Sequence, residues 1–522
     1  MIQRFLILFA ILVLPFQLAA QGRYWVFFAD KSGSTITVDE FHPNALERRQ
    51  MIGIQGYDST DYPVSQRYVQ EIGKYVSEVV GQSRWFNGVV VEANSKQLKK
   101  IRGFSYVKSI EAVQGYFYAS KAKYEDSSSS QIDLATRQVA RFNGNLFKKH
   151  EVDGKGIRIA VFDAGFPGVD THIAFEHIRK EERIVATYDF TKNSTNVYHA
   201  NDHGTKVLSC IAGIYKGQPM GMATGAEFLL AITEVGREPF SEELNWLAAL
   251  EWADRNGAHI VNSSLGYTFH RYFPEQMDGK TSFVSRAAAM AAQKGILVIN
   301  AAGNEGSSKW KVIGAPADAE FIISVGGISP QTQLHIDFAS HGPTADGRLK
   351  PNVTAFGEAL VANGHGGFGI ASGTSFASPL VAGFAACAWQ LKPNATAFDM
   401  LGFMEQSADL YPYFDYAHGY GVPQANFFVD SIQSSLSNDF ITFERAEKGV
   451  RVLLSHFNPS TMAGYNTTHL FWHIRRPDGT LVEYGVVRVY QSKAFFYPTG
   501  SIELKGHSLW INCLGHTACY NF

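Results

Sequence analysis

Asp163, His203 and Ser375 carry the three side-chain types that amide hydrolysis by a hydroxyl demands, and each stands at the end of a regular element. Asp163 closes the apolar run Ile159-Ala160-Val161-Phe162, so its carboxylate should project from the carboxyl end of a strand. His203 opens a helix in Asp202-His203-Gly204-Thr205. Ser375 lies in Ser372-Gly373-Thr374-Ser375-Phe376-Ala377-Ser378-Pro379, where glycine permits a tight approach and proline suits a helix's first turn. A serine nucleophile needs a base for its proton, a group that orients the base, and donors for the negative oxygen that develops. Asn304, in the loop Gly303-Asn304-Glu305-Gly306, offers an NH₂ that can act beside the backbone N–H of Ser375, helped by the positive end of the helix starting there. Singly, these are a strand-end cap, a polar helix start, an N-cap and a turn residue. Their joint placement is what points to chemistry.

The elements that must hold them alternate between 156 and about 328. Short apolar strands are expected at 157–162, 184–188, 228–232, 259–262, 296–301 and 321–325, with helices at 203–214, 242–256 and 283–294 and another starting at Ser375. The strands are near-continuously apolar, as in a parallel sheet covered on both faces. Right-handed crossovers then give an α/β, doubly wound parallel sheet with its site beyond the strands' carboxyl ends.

With 522 residues and about 150 per domain, one core cannot cover the chain. Arg4 precedes an apolar run over 5–18 and the small pair Ala19-Ala20, the layout of a secretory signal, so 1–20 is expected to be removed on export, to a periplasm or outside the cell. That run is too short to span a bilayer comfortably, and no later stretch of about 20 apolar residues follows, so no stable membrane anchor is expected. Residues 21–125 read as a small α/β unit: a strand near Tyr24, a helix with Val69, Ile72, Val76 and Val79 at helical spacing, the strand 85–91, a short helix with Leu98 and Ile101, and a strand through Val107 and Ile110. The serine run 127–130 marks a linker over 126–135, followed by the principal domain at 136–432. From 436 to 522 the helical period gives way to strands at 440–443, 450–454, 470–474 and 481–489, with Pro477-Asp478-Gly479 as a turn, which suggests a small β-sandwich. Lys plus Arg (46) balance Asp plus Glu (48), so no global field attracts nucleic acid.

The chain resembles the subtilisin-like serine peptidases. The Asp, His, Ser order is that family's, and the segments IAVFDAGF, HGTKVLSCIAG, NSSLGY, INAAGNEG and SGTSFASPLVAG match its blocks over about 154–392. The resemblance implies an endopeptidase using Asp163, His203 and Ser375 with Asn304 in the oxyanion hole, and no cofactor. It also implies Ser264, Leu265 and Gly266 as one wall of the substrate cleft, Ala301, Ala302 and Gly303 as the other, and Gly314 near the floor of the pocket for the residue before the cut. The N-terminal unit, through Trp85-Phe86-Asn87-Gly88-Val89-Val90-Val91 and on to Val113, resembles the family's inhibitory propeptide. Such a unit would template a slow parallel sheet and block the cleft until cut. The expected partners are polypeptide substrates and this propeptide, and the expected state is a monomer.

Some residues depart from the family pattern: Ala164 follows the aspartate, Lys206 replaces a common histidine, and Leu380 replaces another. None removes a proton-transfer group. The loop Tyr215-Lys216-Gly217-Gln218-Pro219-Met220 has few hard oxygen ligands, so structural calcium is not expected. His172, His177 and His199 lack acidic or cysteine ligands at metal spacing and read as surface histidines, leaving no metal site. Glu242 and Glu243 read as a helix's acidic first turn. Cys513 and Cys519, six positions apart, are spaced to close a small loop as a disulfide, whereas Cys210 and Cys387 suit buried free thiols. Two function classes stay open. One is an exported endopeptidase made as a zymogen; the other is a catalytically silent relative that binds through its C-terminal β-domain. An α/β-hydrolase esterase is disfavoured because Ser375 lacks a Gly-x-Ser-x-Gly turn and the triad order differs.

Overall fold

Apolar strands buried on both faces must stack side by side, and those expected between 156 and 328 do so. In spatial order the sheet runs Val353–Phe356, Ile323–Ile328, Leu297–Ala301, Ile260–Ser263, Arg158–Asp163, Glu227–Ile232 and Ile184–Asp189. All of its pairings are parallel. The edge strand Val353–Phe356 was not expected from the sequence. In this computed structural model the described residues are 22–36, 40–113, 131–235, 240–269, 271–429, 440–447, 449–455, 468–489, 494–498 and 504–522. The expected signal segment and the serine run lie outside them.

Helix Thr374–Leu391 is the centre of the core, buried from Thr374 through Trp389. A helix apolar all round belongs inside. It packs against helix His203–Ala212 so closely that a Cβ on Gly383 would lie 2.8 Å from the Ile211 carbonyl oxygen. The two helices that bring the histidine and the serine are thereby fixed to each other and to one sheet.

Contacts divide the chain into two compact units, 1–37 with 57–114, and 38–56 with 115–522. The described part of the first is an antiparallel sheet in the order Glu78–Ser83, Gly88–Ala93, Gly22–Phe28 and Val107–Ala112, with helices Gln66–Gly73 and Ser95–Ile101. Val26, Phe28, Ile72, Val89 and Val91 form its core. The helical spacing of Val76 and Val79 misleads: the helix ends at Gly73, and Val79 lies in strand Glu78–Ser83. In the second unit, residues 131–135 are not linker. They open helix Gln131–Ala140, whose Leu134 and Ala135 are fully buried.

The C-terminal region holds two antiparallel sheets, Ile441–Ala446 with Gly449–Leu454 and Ala494–Pro498, and Leu481–Val489 with Thr468–Arg475, Ser508–Cys513 and His516–Asn521. They share one apolar cluster that includes Ile441, Val452, Leu470, Leu509 and Ile511. The disulfide expected between Cys513 and Cys519 is absent, and both thiols are free. The last two strands form a hairpin in which Cys513 faces His516 and Cys519 faces Trp510. Three residue steps along a strand, about 10 Å at about 3.4 Å each, exceed the roughly 7 Å that a disulfide's Cα atoms tolerate.

Candidate functional site

The carboxyl end of strand Arg158–Asp163 meets the amino end of helix His203–Ala212 because Gly204 allows it. A Cβ there would stand 2.5 Å from the Gly165 carbonyl oxygen and 2.8 Å from the Asp163 Cβ. The contact brings His203 Nδ1 to 2.8 Å from Asp163 Oδ1 and 3.0 Å from Oδ2. Asp163 is fully buried, and its Oδ1 also accepts from the Ala164 N–H at 2.8 Å. A carboxylate can only accept, so the proton of the neutral imidazole sits on Nδ1 and leaves Nε2 as the basic nitrogen. Burial works to lower the His203 pKa, but the Asp163 charge and hydrogen bond outweigh it and hold the pKa above its ordinary 6.5.

The His203 ring centroid lies 5.6 Å from that of Phe376, the residue after Ser375. The Ser375 hydroxyl donates to the Ser264 carbonyl at 3.2 Å. At 3.2 Å this is a long bond for a hydroxyl donor. The preceding Gly373 has φ 152° and ψ 152°, a conformation that favours glycine. Ser375 lies in the helix's first turn, so its N–H has no intrahelical acceptor and points out as a donor.

Asn304 completes this group. Its side-chain oxygen accepts from the Thr374 N–H at 2.9 Å and the Thr374 hydroxyl at 3.1 Å. The Thr374 hydroxyl also accepts from the Gly303 N–H at 3.2 Å. With the oxygen held, the amide orientation is fixed and the NH₂ is presented to an incoming acceptor. The Asp163–His203 pair and the Ser375–Thr374–Asn304 group thus meet through the ring contact of His203 with Phe376. A serine hydroxyl, a base with its orienter, and two N–H donors there suit acyl transfer through a tetrahedral oxyanion.

The expected cleft walls follow adjacent paired strands, Ile260–Ser263 and Leu297–Ala301. Leu265 is buried, and its carbonyl accepts from Asn300 Nδ2 at 2.9 Å. Gly266 leads into Tyr267, which forms a two-bond backbone bridge with Ala315 at 2.7 and 3.1 Å. Ala301 and Ala302 are buried, the latter packed with Ile313 and Ala317, while Gly303 is partly exposed with φ 116°. Gly314 donates to the Ala302 carbonyl at 3.2 Å, and a Cβ on it would come within 2.7 Å of Thr268 Cγ2.

Sequence reasoning missed three positioning groups. Thr374 locks Asn304, and Phe376 flanks the imidazole. Ser264, expected only as a wall, donates its hydroxyl to the Ser375 carbonyl at 2.9 Å and accepts from Asn262 Nδ2 at 3.2 Å. Lys206 Nζ bonds Asp202 at 2.8 Å, and its charge opposes protonation of His203. His172 is not the surface residue expected: it is buried, with Nε2 bonded to the Gly367 carbonyl at 2.8 Å. Burial pushes His177 down to about 4. His199 Nε2 stands 3.3 Å from the buried Asp189. Glu243 binds Arg271 and the Tyr272 hydroxyl, each at 2.8 Å, and Glu242 accepts from the Val235 N–H at 2.8 Å.

Residues 154–421 match the Subtilase family, and residues 23–130 match the Peptidase S8 propeptide domain of Bacteroidota. The chain is 28% identical over 287 residues to serine protease AprX of Bacillus subtilis (strain 168), a match covering 49% of this chain and 62% of AprX. This chain therefore spans less than two thirds of that relative. It is 27% identical over 273 residues to subtilisin BL of Lederbergia lenta, covering 52% of this chain and 90% of that one. Among solved structures, fervidolysin from Fervidobacterium pennivorans, a keratinolytic enzyme related to subtilisin, superposes with a TM-score of 0.54. That match covers 94% of this chain and 71% of fervidolysin at 17% identity, a likeness of fold.

Proposed function

Because the chain belongs to the subtilase family, we propose that it is an exported serine endopeptidase made as a zymogen, with Ser375 as nucleophile, His203 as base and acid, Asp163 as the orienting carboxylate and Asn304 as an oxyanion donor. The observation that carries this reading is the buried Asp163 bonded to His203 Nδ1 beside the helix that begins at Thr374 and Ser375. His203 Nε2 takes the Ser375 proton as Oγ attacks the scissile carbonyl carbon. The carbonyl oxygen becomes negative between the Ser375 N–H and the Asn304 NH₂. The imidazolium, stabilised by Asp163, then gives its proton to the leaving amine as the C–N bond breaks. Water, deprotonated by the same nitrogen, hydrolyses the acyl-enzyme and restores Ser375.

The segments 264–266 and 301–303 flank the substrate chain in this reading, and Gly314 lies near the floor of the pocket for the residue before the cut. No acid stands among these residues, so large apolar side chains are the preferred class there. A peptide-library profile dominated by Arg or Lys would overturn that preference.

The test is labelling with a fluorophosphonate, together with hydrolysis of a denatured protein substrate. Wild type, freed of its N-terminal segment, should be labelled on Ser375 and should cleave, and Ser375→Ala should do neither. An unlabelled, inactive wild type of native fold would instead favour the alternative, a silent subtilase fold that binds through its C-terminal β-domain.

A further inference from the structure

Helix Pro43–Met51 is spliced into the first unit's sequence, between strand Gly22–Phe28 and helix Gln66–Gly73, yet its contacts belong to the second unit. It buries arginines. Arg48 spreads one guanidinium over three acceptors: Nε to the Lys294 carbonyl at 2.9 Å, Nη1 to the Ala258 carbonyl at 2.5 Å, and Nη2 to Asp254 Oδ1 at 2.5 Å. Arg49 Nη2 takes the other oxygen of Asp254 at 2.7 Å. Side-chain exposure is 3% for Arg48 and zero for Arg49 and Asp254, so these charges are out of water.

The receiving surface suits cations. Lys294 caps the carboxyl end of helix Phe283–Gln293, and Ala258 follows the carboxyl end of helix Ser241–Arg255. Both carbonyls therefore lie at the negative ends of helix dipoles. The surface is also shaped for the grip, because a Cβ on Gly295 would fall 2.6 Å from Arg48 Cγ. A further backbone bond, from the His42 N–H to the Arg255 carbonyl at 2.7 Å, anchors the start of the helix.

We propose that residues 40–54 are a latch that keeps the N-terminal segment on the catalytic domain after the chain is cut between them, independently of what occupies the active-site crevice. This rests on the zymogen reading in one respect only, that such a cut occurs. Residues 57–114 follow the latch in the chain, so while the latch holds they stay at high local concentration beside the catalytic domain. Release then requires withdrawing two guanidinium groups from a buried carboxylate. Truncating one side of such a pair slows nothing and mainly raises the off-rate.

The test uses the full chain carrying Ser375→Ala and a site-specific protease sequence inserted between Ser128 and Ser129. After nicking, release of the N-terminal fragment from the immobilised C-terminal fragment is followed over time. The Arg48→Gln/Arg49→Gln variant, whose catalytic part is unaltered in sequence, should release its fragment about 10²-fold faster or more. Asp254→Asn should accelerate release from the other side. Release within threefold of the parent in the arginine variant overturns the latch. If that variant does not fold, Arg48→Lys decides by the same readout: it keeps the charge but not the three-way fork, should release at least tenfold faster, and overturns the latch if unchanged. The parent protein is already inactive, so this outcome is independent of whether wild type is a peptidase.

Discussion

Ser264 and Ser375 exchange hydrogen bonds: the Ser375 hydroxyl donates to the Ser264 carbonyl at 3.2 Å, and the Ser264 hydroxyl donates to the Ser375 carbonyl at 2.9 Å. The second bond has a reason in the helix itself. The Ser375 carbonyl would normally accept from the N–H four residues on, but that residue is Pro379, which has none. Ser264 supplies the missing donor and ties the end of the wall strand to the nucleophile's backbone.

Ser264→Ala should therefore leave a buried carbonyl unsatisfied and cost about 1–3 kcal/mol of stability. Pro379→Ala restores an N–H at the position the helix expects. The double variant Ser264→Ala/Pro379→Ala should recover most of the loss, which denaturant unfolding of the four proteins of this cycle measures. Strict additivity of the two single changes would show that the hydroxyl does not serve that carbonyl.

A second expectation concerns pH. An imidazole must be neutral to accept the Ser375 proton, so kcat/KM should rise with pH through the pKa of His203. That pKa lies above 6.5, because the Asp163 charge and hydrogen bond overcome the lowering effect of burial, so the midpoint should lie above 6.5 as well. Lys206→Gln removes an opposing positive charge and should move it higher; Asp163→Asn should move it lower and reduce the plateau by about 10⁴-fold. For stability the sign is the reverse of the rate. A raised folded-state pKa favours the folded form fully below 6.5, and this contribution fades as pH rises through the folded value. A rate midpoint below 6.5 would contradict the assignment.

Asn304→Leu should lower kcat by about 10²- to 10³-fold with little change in KM, because the lost donor acts on charge that develops only in the transition state. Thr374→Val should give a smaller loss of the same kind, since Thr374 only fixes the amide's orientation and keeps its backbone N–H. Steady-state kinetics on one peptide decide both. A change confined to KM would move Asn304 to ground-state binding.

What the sequence disclosed was local in origin. Asp163, His203 and Ser375 sit at element ends marked by apolar runs and glycines. The Ser264 bond was hidden because it depends on a proline 115 positions away in sequence and on the packing of strand end against helix start. Helix Pro43–Met51 was hidden for a different reason: its buried face is arginine, so no apolar periodicity announces it. Strand Glu78–Ser83 was masked because Val76 and Val79 fall at helical spacing across a helix end, and a register shift follows between Val79 and Gly81. The hairpin Ser508–Cys513 and His516–Asn521 turns through Leu514 and Gly515, both at positive φ, and the two cysteines that suggested a loop belong to its two strands.

The last expectation concerns maturation. Helix Gln131–Ala140 is seated in the catalytic unit: Leu134 and Ala135 are fully buried, Gln131 Nε2 donates to the Phe368 carbonyl at 3.3 Å, and the Tyr215 hydroxyl donates to Gln131 Oε1 at 3.3 Å. A cut inside that helix would have to unseat it, so processing should fall before it, between about 118 and 130, in residues outside the described structure. If the enzyme makes this cut itself, Ser375→Ala should be exported and folded but remain at precursor size. Wild type should yield two fragments that at first stay associated, since the cut removes the covalent tether but leaves the bonds of Arg48 and Arg49 to the C-terminal fragment. Intact mass and N-terminal sequencing of both proteins, expressed in a protease-deficient host, decide the matter. A new N-terminus between about residues 119 and 131 in wild type alone is the expected result; the same trimming in Ser375→Ala would assign the cut to another protease.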